Sequence, residues 1–117
     1  MELPEKGSIG DLVQYRIETA KSDLKSADIL MKEGEYRGAN NRAYYAIYHA
    51  ISAVHALDGK SYKRHKDTLA NFNKDYVKTE IFSGDFGRKI AQAEEQIMTA
   101  KELIEQIEAY FLNRLKG

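Results

Sequence analysis

Apolar residues recur every three or four positions along most of this chain. That spacing places side chains on one face of an α-helix, and no segment shows the strict alternation of a β-strand. The pattern predicts a helix over about residues 9–33, a second over about 35–57, a third that contains Leu69, Phe72 and Tyr76, and a fourth that runs to the C-terminus. The fold class that follows is all-α, an antiparallel bundle of four to five helices.

The second predicted helix has the features of a central element, because small side chains recur along it and let neighbouring helices approach closely. Gly34 is a plausible stop signal for the helix before it. The segment TEIFSGDFG at residues 79–87 interrupts the periodicity and is expected to close one end of the bundle. A length of 117 residues suits one domain, so residues 1–117 are treated as a single unit. The small residues are Ala43, Ala46, Ala50 and Ala53.

Composition argues against several classes of site. The chain has no cysteine and only 3 histidines, which excludes disulfides and thiolate zinc sites, and we expect neither a metal nor a cofactor. Its 18 basic and 18 acidic residues balance, so no global basic field attracts nucleic acid, although a local patch is still allowed. The start MELPEKGSIGDL lacks the form of a signal peptide, and no apolar run approaches the ~18 residues of a membrane span. We therefore predict a cytoplasmic location without membrane association.

The stretch NNRAYYAIYHA at residues 40–50 concentrates aromatic and basic side chains on the second helix. Arg42 and His49 lie seven positions apart, so at 100° per residue they differ by only ~20° around the helix axis. Tyr45 lies between them, one turn from each, and Asn41 and Ser52 flank the same side. These five side chains are the candidate site.

These candidate-site residues have two interpretations. Polar residues face water on most helices, so Arg42 and His49 would by spacing alone be ordinary exposed residues. The adjacent tyrosines count against this, since a large aromatic patch suggests a covering surface from the third helix, the fourth helix or a second copy of the chain.

The second interpretation is phosphodiester chemistry without a metal. His49 would move a proton near neutral pH, Arg42 would offer its planar fork to phosphate oxygens, and Tyr45 would bond a phosphate or stack on a base. A single histidine is not enough to act as both the general acid and the general base. A symmetric homodimer across this face would supply two copies of each group.

A basic turn precedes the third helix. Lys63, Arg64 and His65 are possible phosphate contacts, and an ordinary solvated surface is an equally good interpretation of the same segment. For His65 we favour capping or packing of the third helix over a place near the site. His55 is expected to be exposed.

The string NRAYYAIYHA at residues 41–50 resembles the central helix of the HEPN superfamily, the higher eukaryote and prokaryote nucleotide-binding domains. The chain looks most like small stand-alone prokaryotic members, and the likeness covers about residues 19–82. It implies a compact helical bundle, commonly a dimer, with the sites near the shared interface. Many superfamily members carry an Arg followed after four to six residues by His, which in active members forms a metal-independent ribonuclease site. Arg42, six residues and His49 match that pattern.

The resemblance also implies a partner and a biological role. Many members act as toxins or host-defence nucleases, and small ones are often encoded beside a minimal nucleotidyltransferase that serves as antitoxin. The sequence departs from the pattern in three places. Ala43 stands where many active members have Asn or Asp, and Ile51 stands where one toxin group has a modified tyrosine. The C-terminal third also looks shortened, because the longer segment with an Arg and an Asp-Tyr pair that similar proteins carry before the last helix is not found between Gly87 and Glu95.

Three hypotheses follow. In the first, the chain is a metal-independent endoribonuclease with His49 as acid/base group, Arg42 as phosphate clamp and Asn41 and Tyr45 as positioning groups. In the second, the same face binds a nucleotide or a nucleotidyltransferase subunit without catalysis. In the third, it is an assembly module with no site. Fold analogy does not separate them.

Overall fold

The computed structural model describes residues 8–77 and 96–116, and within them every regular element is helical. Helix α1 spans Ser8–Lys32, α2 spans Tyr36–Leu57 and α3 spans His65–Phe72. A π-helical turn over Asn73–Val77 continues α3, and α4 spans Gln96–Lys116. The prediction of an all-α helical bundle is confirmed. The interrupting segment 79–87 lies outside the described residues.

Both long helices before α3 end in the same glycine-dependent turn. After α1, the amide of Glu35 donates to the Leu30 carbonyl and the amide of Gly34 donates to that of Met31. After α2, the amides of Lys60 and Gly59 donate to the carbonyls of His55 and Ala56. Gly34 and Gly59 have φ of 79° and 71°, the left-handed region that this helix ending requires. The stop signal predicted at Gly34 is therefore found, and the three-residue connection makes α2 run antiparallel to α1.

Helix α2 is the centre of the bundle, and α1, α3 and α4 pack against it. Its alanines are fully buried, as their spacing predicts, and they let α1 and α4 approach closely. Tyr36, the first residue of α2, is 62% exposed, because no described element covers that end of the helix. The main buried apolar residues are Val13, Ile17, Ala20, Ala46, Ile47, Ala50, Ile51, Val54, Phe72, Tyr76, Ala100, Leu103, Ile104, Ile107 and Phe111.

The expectation that His55 is exposed is wrong, since only 1% of the residue is accessible. The α3 region packs on its side of α2. The imidazole Nε2 lies 3.0 Å from the carbonyl oxygen of Thr68 and donates to it. The rings of Tyr62 and Tyr76 lie edge-on at 4.9 Å and 5.7 Å from the His55 ring. This burial lowers the pKa of His55, the hydrogen bond to Thr68 opposes the shift, and the imidazole is neutral at pH 7.

Candidate functional site

Arg42 and His49 face the same carboxylate, that of Asp23 on α1. Arg42 donates from Nη1 to Oδ1 of Asp23 at 3.0 Å, and His49 Nε2 lies 3.6 Å from Oδ2. The Asp23 side chain is only 13% exposed, whereas those of Arg42 and His49 are 38% and 30% exposed. The two basic side chains therefore share one side of α2, as their spacing predicts, but they form a half-buried cluster with α1 and do not project freely into water.

His49 is poised as a neutral imidazole. Partial burial is the main cause that lowers its pKa, while Asp23 acts in the opposite direction and Arg16, His65 and Arg42 add to the lowering. The 3.6 Å separation from Asp23 is too long for a strong hydrogen bond, so the carboxylate acts on His49 mainly through its charge. A neutral imidazole at pH 7 accepts a proton, which is the property of a general base.

The tyrosines of α2 pack against His65, the first residue of α3. The rings of Tyr48 and His65 are stacked with centroids 3.9 Å apart, and the Tyr44 hydroxyl shares a hydrogen bond of 3.2 Å with His65 Nδ1. The Tyr45 ring meets His65 edge-on at 5.8 Å. Burial is the main cause that raises the pKa of Tyr44, so its hydroxyl keeps its proton and is able to donate. Of the covering surfaces considered for the aromatic patch, α3 provides one.

Tyr45 links the tyrosine cluster to the basic pair. The Arg42 guanidinium lies over the Tyr45 ring at 5.2 Å from its centroid. The rings of Tyr45 and His49 are 6.2 Å apart, and those of Tyr48 and His49 are 5.4 Å apart. The cation–π contact holds Arg42 on the side that faces His49. The arrangement combines a neutral imidazole, a guanidinium and aromatic faces on one surface.

The other residues predicted for the site differ in their positions: some lie in the cluster and others are exposed. His65 packs α3 against α2 and also lies beside the candidate site, so the two alternatives considered for it are both present. Ser52 is half-buried one turn after His49 and uses its backbone carbonyl to accept from Arg16 at 3.0 Å. Asn41 is exposed, and its side chain makes no hydrogen bond to another described residue. Lys63 is exposed, and Arg64 is held by its neighbour Asp67 at 2.8 Å.

Two site residues on α1, Arg16 and Asp23, were not predicted from the sequence. They are seven positions apart, the same interval that separates Arg42 from His49 on α2. Because α1 and α2 are antiparallel, Asp23 reaches Arg42 while Arg16 reaches the turn after His49. The available signal was a polar pair at seven-residue spacing beside the apolar face of α1. That signal identifies the pair only once the packing of the two helices is known.

No group of three or more histidine and carboxylate side chains within residues 8–77 and 96–116 is arranged to hold a metal ion. Among those same residues, no helix is both long enough and apolar enough to cross a membrane.

Comparison with known proteins gives a consistent family. A family model described as the HEPN domain matches residues 13–110. A UPF0332 protein of Thermotoga maritima is 32% identical over 77 residues, which are 66% of this chain and 58% of that protein. A UPF0332 protein of Pyrococcus horikoshii is 24% identical over 108 residues, or 92% of this chain and 72% of that protein. A protein of Methanocaldococcus jannaschii named as a candidate toxin is 32% identical over 85 residues, or 73% and 63% of the two chains. No solved structure matches the chain significantly.

Proposed function

The chain belongs to the HEPN domain family, and from that premise we propose that it is a metal-independent endoribonuclease of the toxin or defence type. The single observation that carries the proposal is the convergence of Arg42, His49 and Asp23, in which a neutral imidazole lies beside a guanidinium. The relative named as a candidate toxin supports the biological role. A cytoplasmic location is part of the same proposal.

In the proposed reaction, His49 takes the proton of a ribose 2′-hydroxyl. The 2′-oxygen attacks the adjacent phosphorus, and the bond from phosphorus to the 5′-oxygen breaks. The products are a 2′,3′-cyclic phosphate and a 5′-hydroxyl, and the leaving oxygen acquires one proton. Arg42 binds the phosphate oxygens as negative charge develops on them. Tyr45 and Tyr48 offer faces on which an unpaired base stacks.

Asp23 is proposed to pair with Arg42 until a substrate binds. It neutralises Arg42 in the free protein, so an arriving phosphate competes with the carboxylate for the guanidinium. Its charge also raises the proton affinity of His49, which burial otherwise lowers. Asp23 is thus proposed as a positioning residue that acts through Arg42 and His49.

A homodimer is part of the proposal, because the attacking 2′-oxygen and the leaving 5′-oxygen lie on opposite sides of phosphorus in an in-line displacement, so one imidazole does not reach both. The His49 of a second copy would donate a proton to the leaving 5′-oxygen if the two copies meet on the side of α2 that carries Arg42 and His49. A minimal nucleotidyltransferase is the proposed antitoxin, as the resemblance to small family members implies. RNA or a nucleotide is the proposed ligand.

The alternative is a non-catalytic subunit that binds a nucleotide or a nucleotidyltransferase partner. One observation favours it: Arg42 is already paired with Asp23 at 3.0 Å, which reduces the positive charge available to a transition state but leaves N–H donors for recognition.

Purified protein and single-stranded RNA, incubated with EDTA, separate the two functions. Cleavage by the wild type that is lost in His49→Gln and Arg42→Gln, with helicity unchanged, supports the nuclease. Arg37→Gln is the matched control, because Arg37 is an exposed arginine at the start of the same helix. Absence of cleavage, with nucleotide binding that Arg42→Gln abolishes, supports the alternative.

A further inference from the structure

A polar pocket lies beside the candidate site, between α1, α2 and the segment that leads into α3. Its volume is about 40 Å³, enough for a few water molecules or one small polar group. None of the described residues that line it is a carboxylate. Most lining side chains carry a hydroxyl or a positive charge, so hydrogen-bond donors dominate. They are Arg16, Tyr48, Ser52, His55, Lys60, Ser61, Tyr62 and Thr68.

Arg16 brings a positive charge to this pocket that no described carboxylate balances. It is half-buried, and its Nη1 donates to the backbone carbonyl of Ser52 at 3.0 Å. By contrast, Arg42 pairs with Asp23 at 3.0 Å and Lys60 pairs with Asp75 at 3.1 Å. Among the described residues, this half-buried guanidinium is held only by a neutral oxygen, so it retains donors for an anion, and its planar fork suits phosphate oxygens.

His55 gives a second, independent observation that points to a ligand. It lines the pocket and is 1% exposed, and its Nδ1 has no hydrogen-bond partner among the described residues. Buried polar atoms are nearly always satisfied, so an orphan ring nitrogen beside a cavity indicates an occupant. Because an anion favours the protonated imidazole, Nδ1 would become one more donor when the pocket is filled. Lys60 opposes that protonation, whereas Asp58 and Asp75 favour it.

We propose that this pocket binds a phosphate group, with Arg16 as its principal cation. The inference deepens the proposed function and rests on it in one respect: the phosphate would belong to the nucleotide next to the scissile one. Ser52, whose carbonyl positions Arg16, lies three residues after His49, or about 4.5 Å along the helix axis. Neighbouring nucleotides of one strand can therefore contact both places.

The 3 histidines of the chain report separately on the two places, His49 and His65 on the candidate site and His55 on the pocket. Inorganic phosphate is titrated into ¹⁵N-histidine-labelled protein while the imidazole resonances are followed. We expect a saturable shift of the His55 resonances, and a dissociation constant at least about tenfold higher in Arg16→Gln. Arg37→Gln should leave binding unchanged. Shifts confined to His49 and His65, or identical binding by Arg16→Gln, would overturn the proposal.

Ser61 provides a second pair of variants in case Arg16→Gln does not fold. Ser61 lines the pocket and is exposed, so substitution there leaves the core intact. Ser61→Asp places a carboxylate at the pocket and should weaken phosphate binding, whereas the neutral Ser61→Asn should not. Equal weakening in both variants would mean that charge is irrelevant and would contradict the assignment.

The source of the phosphate is tested with RNA. A dinucleotide that has only the scissile phosphate is compared with the same dinucleotide that carries one added terminal phosphate. Wild type should cleave the second with a higher kcat/KM, and Arg16→Gln should lose that preference. If the protein cleaves no RNA but phosphate still shifts His55 through Arg16, the proposed nuclease fails while the pocket remains a phosphate site for a free nucleotide.

Discussion

Replacing Asp23 with asparagine tests how the site sets the protonation of His49. The carboxylate lies 3.6 Å from His49 Nε2, and two unit charges at that distance attract by about 1 kcal/mol in a water-like dielectric. The water-like value is used because about a third of the His49 side chain is exposed. Since 1.36 kcal/mol corresponds to one pKa unit, Asp23→Asn should lower the pKa of His49 by roughly 0.5 to 1 unit.

The assay is an NMR titration of the imidazole carbon-bound protons, with His49 assigned by its loss in His49→Gln. Asp28→Asn is the matched control, because Asp28 is an α1 carboxylate that pairs with Lys101 of α4 at 3.6 Å. If His49 is the base in RNA cleavage, kcat/KM rises with pH through its pKa. The acidic limb of the rate profile should then move to lower pH by the same amount. A pKa of His49 that rises or stays unchanged in Asp23→Asn would refute the reasoning.

Three further predictions concern stability. Ile47→Ala, at a fully buried position of α2, should lower the free energy of unfolding by about 2–5 kcal/mol in urea denaturation, whereas Ile29→Ala, at a position that is 52% exposed, should change it by under ~0.5 kcal/mol. Gly34→Ala should cost about 1 kcal/mol or more, because φ of 79° strains any residue with a Cβ, and an unchanged urea midpoint would contradict this. Burial lowers the pKa values of His55 and His49 in the folded state, so the unfolded chain binds more protons below its histidine pKa of about 6.5. Stability should therefore fall between pH 7.5 and 5.5, and an equal or higher urea midpoint at pH 5.5 would be the wrong sign.

Local sequence signals were sufficient for the helices and for half of the site. Helix α1 was predicted over about residues 9–33 and spans Ser8–Lys32, because the glycine that ends it and the apolar spacing are both local features. The alignment of Arg42 with His49 depends only on helical geometry, so it too was accessible from spacing.

Features that depend on packing between helices could not be predicted from the sequence. Asp23 belongs to the site because α1 runs antiparallel beside α2, and nothing within either helix states their relative register. His55 was misjudged for the same reason: its side of α2 is covered by the α3 region, which brings Thr68 and Tyr62 against it. The place of His65 likewise depended on how α3 meets α2.

The most direct test of the central claim uses a single-stranded RNA and its analogue with a 2′-deoxyribose at the cleaved nucleotide, both incubated in EDTA. We expect that wild type converts the RNA to products with a 2′,3′-cyclic phosphate and a 5′-hydroxyl, identified by mass spectrometry. The deoxy analogue should remain intact, and so should the RNA with His49→Gln. Cleavage of the deoxy analogue, or undiminished cleavage by His49→Gln, would contradict the role assigned to His49.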